Sequence, residues 1–217
     1  MSEQKLALVT GASRGLGAAM AEALAARGFH ILAVARTSGA LEELDDRIRQ
    51  AGGSATLAPM DVTNPEAMVQ MAKSVAERWG GLDLWVHTAI HAAPLTPVGH
   101  VDGKDWEKSV STNLEATRGL IMLLDPLLRA KSGRAMFFDD PRAGQKFFAS
   151  YGATKAGQMA LARSWQAEGA KLGPQVIIAE PAAMPTATRG RFFPGEDRSA
   201  LTDCRHEAAR ILTEAGL

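Results

Sequence analysis

The strongest constraint on this chain is a regular alternation of short apolar runs with longer segments of helical periodicity. In the first run, KLALVTG, the central LALV has no polar residue to turn toward water. It therefore reads as a strand buried on both faces, as in a parallel sheet. FHILAVAR, SATLAPMDVT, LDLWVHTAI, RAMFFDD and QVIIAEP repeat the pattern. Helical stretches lie between them. LGAAMAEALAARG stops at Gly28, and GALEELDDRIRQAGG ends in glycines. NPEAMVQMAKSVAERWGG offers Asn64 as N-cap and Pro65 at the first helical position. WEKSVSTNLEATRGLIMLLDPLLRAK reads as a long helix bent or broken near Pro126, and SYGATKAGQMALARSWQAEGAKLG as another helix. The expected fold is a doubly wound α/β parallel sheet of about six strands with right-handed crossovers. One domain should cover residues 1–217, with ligands at the carboxyl ends of the strands.

With 217 residues the chain can build one good core but hardly two. A formal net charge of zero gives no bulk attraction to nucleic acid or an anionic membrane. The apolar run near the N-terminus is too short for a signal or membrane segment. Cys204 has no partner for an internal disulfide and reads as a passive residue, so a reducing cytoplasm is expected.

Two motifs carry chemistry. The first is TGASRGLG, residues 10 to 17, between the first strand and first helix. Glycines there permit a sharp turn and close approach to a ligand, and the helix start beyond favours a phosphate. The second is Tyr151-x-x-x-Lys155, which places both side chains on one helix face. A free phenol, with a pKa of about 10, is a poor base at neutral pH, and a nearby ammonium lowers that value. With glycines at Gly11, Gly15 and Gly17, the two motifs resemble the short-chain dehydrogenase/reductase family over about residues 5 to 187.

The resemblance implies a dinucleotide held by Gly11, Ser13, Arg14, Gly15, Leu16 and Gly17, with Asp61 and Val62 at the adenine. Ala89 borders the same site. Pro181 and Thr186 match the segment over the nicotinamide amide, with Ala182 where the family usually has glycine. It further implies that Tyr151 exchanges the proton with the substrate oxygen and that Lys155 holds the nicotinamide ribose. Asn113 would order a relay water. An NAD-preferring site needs a carboxylate at the end of the second strand. This chain has Ala35 followed by Arg36, and Arg14 in the loop, which favours NADP(H) over NAD(H).

The chain also departs from the pattern. Asp140 falls where the family has its serine, at an interval to Tyr151 about two residues short; counting back from Tyr151 gives Phe138 instead. The family's Asn-Asn-Ala-Gly is His87-Thr88-Ala89-Ile90, and Ile90 is expected to narrow the nicotinamide pocket. The family usually adds a strand after the last helix. A His91–Asp140 pair could replace the serine, or a metal could bind among His87, His91, Asp139 and Asp140. The plainer alternative is loop residues at a degraded site. Residues 184 to 200 are expected to form a mobile lid. There Arg189, Arg191, Phe192 and Phe193 would meet an anionic or aromatic substrate, or simply be a solvated loop with two anchoring aromatics. The leading expectation is an NADP(H)-dependent enzyme interconverting a small carbonyl and alcohol, and a homodimer or tetramer is implied by the resemblance. The rival is a non-catalytic nucleotide-binding or interaction protein.

Overall fold

The computed structural model describes residues 4–171 and 173–217. Its elements in chain order are β1 (Leu6–Thr10), α1 (Gly15–Ala25), β2 (His30–Ala35), α2 (Ser38–Gln50), β3 (Ser54–Pro59), α3 (Pro65–Trp79) and β4 (Leu84–His87). Then come α4 (Gly103–Val110), α5 (Ala116–Ala130), β5 (Arg134–Phe138), α6 (Ala149–Gly169), β6 (Gln175–Ala179), α7 (Ala187–Phe192) and α8 (Cys204–Glu214). The six strands form one sheet in the order β3-β2-β1-β4-β5-β6, and every pairing is parallel. Strand order reverses between β1 and β4, which opens the crevice where doubly wound sheets take their ligands.

The apolar runs become strands because both sheet faces are covered. Ala7 and Val9 of β1 join a core with α1, α2 and α8, while Leu6 and Leu8 join a second core with α3, α5 and α6. Phe138 and Phe137 of β5 divide in the same way. Asn64 caps α3 by accepting from the Ala67 N–H at 3.1 Å, and Gly80 ends that helix at φ 68°.

The long fourth helical pattern differs from expectation. It runs through Pro126 without a break, and its irregularity is a π-helical turn at Ser111–Glu115 between α4 and α5. That turn falls where polar side chains offer other partners: the Asn113 carbonyl accepts from Thr117 Oγ1 at 2.9 Å and from Gln158 Nε2 at 3.3 Å. Residues 184 to 200 are also more regular than expected. They contain α7, capped by Thr186 accepting from the Arg189 N–H, and a short 3-10 turn at Arg198–Ala200.

Candidate functional site

The carboxyl ends of β1, β2, β4, β5 and β6 surround a cavity of about 470 Å³. The glycine loop forms one wall, and at Gly11 and Gly17 nothing larger fits. A Cβ on Gly11, which has φ 87°, would lie 2.6 Å from the Ala89 backbone nitrogen. One on Gly17 would lie 2.3 Å from the Gly11 carbonyl and 2.4 Å from Thr88 Oγ1. Thr88 ties the end of β4 to this loop by donating to Thr10 O at 2.8 Å. Helix α1 has no side-chain cap at Arg14, so the free N–H groups of its first turn belong to cavity-lining residues. This backbone fits a pyrophosphate.

Ser13, Arg14 and Leu16 line the same cavity, as do Arg36, Asp61 and Val62 farther along the strand ends. Arg14 and Arg36 are exposed at its edge, and buried Ala35 presents no carboxylate there. Arg36 approaches Asp61 at 4.0 Å with its side chain 75% exposed, so the pair holds it only weakly. Ala89, Ile90, Pro181 and Thr186 line the same cavity, as do Asp140, Tyr151 and Lys155. The Ala182 N–H there donates to buried Glu207 Oε1 at 2.7 Å, which fixes the loop after β6 from α8.

Tyr151 and Lys155 lie on α6 with both side chains buried. The Tyr151 hydroxyl donates to Asp140 Oδ2 at 3.0 Å. Burial, the Asp140 charge and that hydrogen bond push the phenol well above its usual value. Burial pulls Lys155 down to about 8, against the charges of Asp140 and Asp139. The Lys155 ammonium donates to Gln158 Oε1 at 2.7 Å.

Gln158 has no role in the sequence reading, although it lies one helical turn beyond Lys155. It links the lysine to a buried polar network. Gln158 Nε2 donates to Thr117 Oγ1 at 3.0 Å, and Thr117 Oγ1 lies 3.0 Å from His87 Nε2. His87 Nδ1 lies 2.8 Å from Thr10 Oγ1. Burial, then Lys155, lower His87 to about 3, so it is neutral. The Thr117 hydroxyl donates to the Asn113 carbonyl, which assigns the His87 proton to Nε2 and makes Nδ1 the acceptor from Thr10.

Asn113 lies behind the cavity, fully buried. Its side chain clasps the His91 main chain, accepting from N at 2.7 Å and donating to O at 3.0 Å, and it donates to Thr154 Oγ1 at 2.9 Å. The His91–Asp140 pair considered as a replacement for the serine does not form. His91 Nε2 lies 3.9 Å from Asp105, because the Asn113 clasp turns the residue toward α4. Asp140 instead sits 2.9 Å from Arg142 Nε, and Asp139 pairs with Arg163 on α6. Among the described residues no three His, Cys, Asp or Glu side chains gather as a metal-binding group.

Aromatic residues cover the Tyr151 end of the cavity. Phe192 of α7 meets Tyr151 edge-on with centroids 4.8 Å apart, and Phe148 meets Phe192 at 4.9 Å. Tyr151 is left 5% exposed. Phe148 and Phe193 each bear an arginine: the Arg142 guanidinium lies 5.5 Å from the Phe148 and Phe193 centroids, and Arg189 lies 4.8 Å from Phe193.

A doubly wound sheet with a glycine loop at its switch point and a Tyr/Lys pair in the same cavity defines a nucleotide-dependent oxidoreductase class. The short chain dehydrogenase family model matches residues 5–197, and the chain belongs to that family. It is 31% identical over 191 residues to a 3-oxoacyl-acyl-carrier-protein reductase of Vibrio cholerae, covering 85% of this chain and 75% of that one. It is 32% identical over 168 residues to a fatty acyl-CoA reductase of Acinetobacter baylyi, covering 76% of this chain and 57% of that relative's length. A short-chain dehydrogenase structure from Streptomyces avermitilis superimposes with a TM-score of 0.85 at 25% identity, covering 100% of this chain and 85% of that one. An alcohol dehydrogenase of the archaeon Thermococcus sibiricus, solved with 5-hydroxy-NADP, shares the fold with a TM-score of 0.86 at 24% identity, covering 98% and 91%. The chain is an oxidoreductase-family protein with a doubly wound α/β fold. Among the described residues no helix is long and apolar enough to cross a membrane.

Proposed function

We propose that the protein is an NADP(H)-dependent oxidoreductase that interconverts a carbonyl and an alcohol on a small substrate, at a site with an altered donor set. The observation that carries this reading is the single cavity shared by the glycine loop, Tyr151 and Lys155. The reductase names of the two relatives support a carbonyl substrate. Arg14 and Arg36 would receive the 2′-phosphate, which Ala35 does nothing to oppose. A cytoplasmic homo-oligomer is part of the same proposal. Partly exposed Trp106 and Met122, on α4 and α5, give apolar surface for self-association.

The dinucleotide, when bound, supplies or accepts the hydride. The protein's own residues handle the proton. The Tyr151 phenol, held protonated by burial and Asp140, is an acid rather than a base. It can protonate an oxygen that gains charge as the carbonyl carbon is reduced, because an alkoxide is far more basic than a phenolate. Taking a proton from an alcohol would require the phenolate, which the Asp140 charge disfavours. The phenol is thus held in the protonation state that reduction consumes. Lys155, anchored by Gln158, places an ammonium in the cavity that Tyr151 lines, where it would hold the ribose.

The test is NADPH oxidation with a panel of aldehydes and ketones. Turnover that Tyr151→Phe lowers by about 10²-fold or more supports the reading. Turnover unchanged in Tyr151→Phe contradicts it. A second reading, a non-catalytic nucleotide-binding protein, is favoured by the Tyr151 proton being directed at Asp140 beneath Phe192. It predicts nucleotide binding without turnover of any panel member.

A further inference from the structure

We propose that Arg142 supplies the hydrogen-bond donor that the missing serine would have provided, acting as a catalytic residue toward the reacting oxygen. The proposal rests on the oxidoreductase reading above.

Three observations place it there. First, the short connection between β5 and α6 folds back on the helix start. The Arg142 N–H donates to Asp140 O at 2.7 Å, and a Cβ on Gly152 would lie 2.7 Å from the Arg142 carbonyl. The glycine after Tyr151 thus lets the Arg142 backbone rest on α6 beside the catalytic phenol. Second, the guanidinium is held on several sides: by the Phe148 and Phe193 rings, by Nη1 donating to Gln145 Oε1 at 3.2 Å, and by Asp140. A preorganised donor needs such support. Third, Arg142 lines the same cavity as Tyr151, and its Nε lies 2.9 Å from Asp140 Oδ1, the other oxygen of the carboxylate that Tyr151 contacts.

The charges agree. Asp140 and Asp139 raise the Tyr151 phenol, and Arg142 lowers it. One carboxylate bridges Tyr151 and Arg142, with Oδ2 on the phenol and Oδ1 beside the guanidinium. An ionised Asp140 alone would repel an oxygen gaining negative charge. Paired with Arg142 it becomes a bracket that orients a cation. In the reduction, the carbonyl carbon takes the hydride and the carbonyl π pair moves onto oxygen. Arg142 donates a hydrogen bond to that oxygen while Tyr151 gives it the proton, and the dinucleotide leaves oxidised.

The experiment uses the full chain with NADPH and two carbonyl probes, phenanthrenequinone and para-nitrobenzaldehyde. NADPH affinity is measured separately by fluorescence. Arg142→Ala is expected to bind NADPH within about twofold of wild type while kcat falls about 10²–10³-fold. Added guanidinium chloride should restore at least about tenfold of that loss, and sodium chloride at equal ionic strength should not. Asp140→Ser in the Arg142→Ala background, which returns a hydroxyl donor and removes an unpaired charge, should recover about tenfold or more. Arg142→Gln retains a donor without the charge and serves if the alanine variant does not fold; it should show kcat below wild type at unchanged NADPH affinity. Wild-type kcat in either Arg142 variant overturns the proposal. So does a loss that neither guanidinium nor Asp140→Ser restores, since that marks a structural role. Wild type that binds NADPH but reduces neither probe also overturns it and leaves the nucleotide site standing. Wild type that does not bind NADPH defeats the oxidoreductase reading itself.

Discussion

The Tyr151 hydroxyl donates to Asp140 Oδ2 at 3.0 Å, so the phenol proposed to pass the proton is already engaged by a carboxylate. Tyr151 is the chain's single tyrosine, which makes its ionisation directly readable. In an ultraviolet titration, tyrosinate absorbance should stay absent through the alkaline range until the fold is lost, because burial and Asp140 raise the phenol. In Asp140→Asn the charge is gone, and the same absorbance should appear at lower pH in the folded protein. Coincident titrations would show that Asp140 does not govern the phenol.

Lys155 gives the opposite pH signature. Its folded value is near 8, below that of an unfolded lysine. NADPH affinity should decline as pH rises above about 8, where the ammonium is lost, and Lys155→Met should flatten that dependence. Stability has the reverse sign. Between about 8 and the unfolded value the unfolded chain binds more protons, so this residue makes stability rise with pH in that window. An NADPH affinity flat across pH 7 to 10 in wild type contradicts the assignment.

His87 governs the acid side. Its folded value is about 3 against an ordinary 6.5, so an unfolded chain takes up a proton that the fold refuses. Stability should fall with pH below 6.5, with this group alone costing roughly 2 kcal/mol between pH 7 and pH 5. His87→Asn is expected to lower stability at pH 7, where the bonds to Thr10 and Thr117 are disturbed, yet to show a shallower acid decline. Urea midpoints at the two pH values measure this. Equal declines in both proteins would refute the burial argument.

Gly17→Ala separates helix propensity from sterics. Alanine favours a helix interior by about 1 kcal/mol over glycine. The added methyl would nonetheless lie 2.3 Å from the Gly11 carbonyl and 2.4 Å from Thr88 Oγ1. The clash with backbone should dominate: a lower melting temperature, and NADPH affinity weakened by about tenfold or more. A more stable variant with intact binding would mean that the loop tolerates the shift.

Much of this was legible from residues whose identity admits one conformation or one partner. The apolar runs named all six strands, because a segment such as LALV has no face to give to water. Asn64 and Pro65 fixed the start of α3. The glycine spacing named the crevice wall, and Tyr151 with Lys155 named the helix that faces it. What stayed hidden depends on direction within loops and on long-range partners. Asp139 and Asp140 are neighbours, yet one turns to Arg163 and the other to Tyr151, which only the path after β5 decides. His91 follows Asn113 rather than Asp140 because two main-chain bonds outweigh a proximity at one sheet edge. The irregular turn sits at Asn113 and not at Pro126, since the buried polar partners Thr117 and Gln158 lie there. Arg142 gave no signal at all; only the short connection resting on Gly152 brings it to the site.

The most direct test of the central claim is a fluorescence titration of the purified protein with NADPH and, separately, with NADH. The account predicts micromolar binding of NADPH on the order of a typical dinucleotide site, with NADH clearly weaker and the difference lost in Arg14→Ala/Arg36→Ala. Absence of binding by either nucleotide, despite a folded protein, would contradict the account.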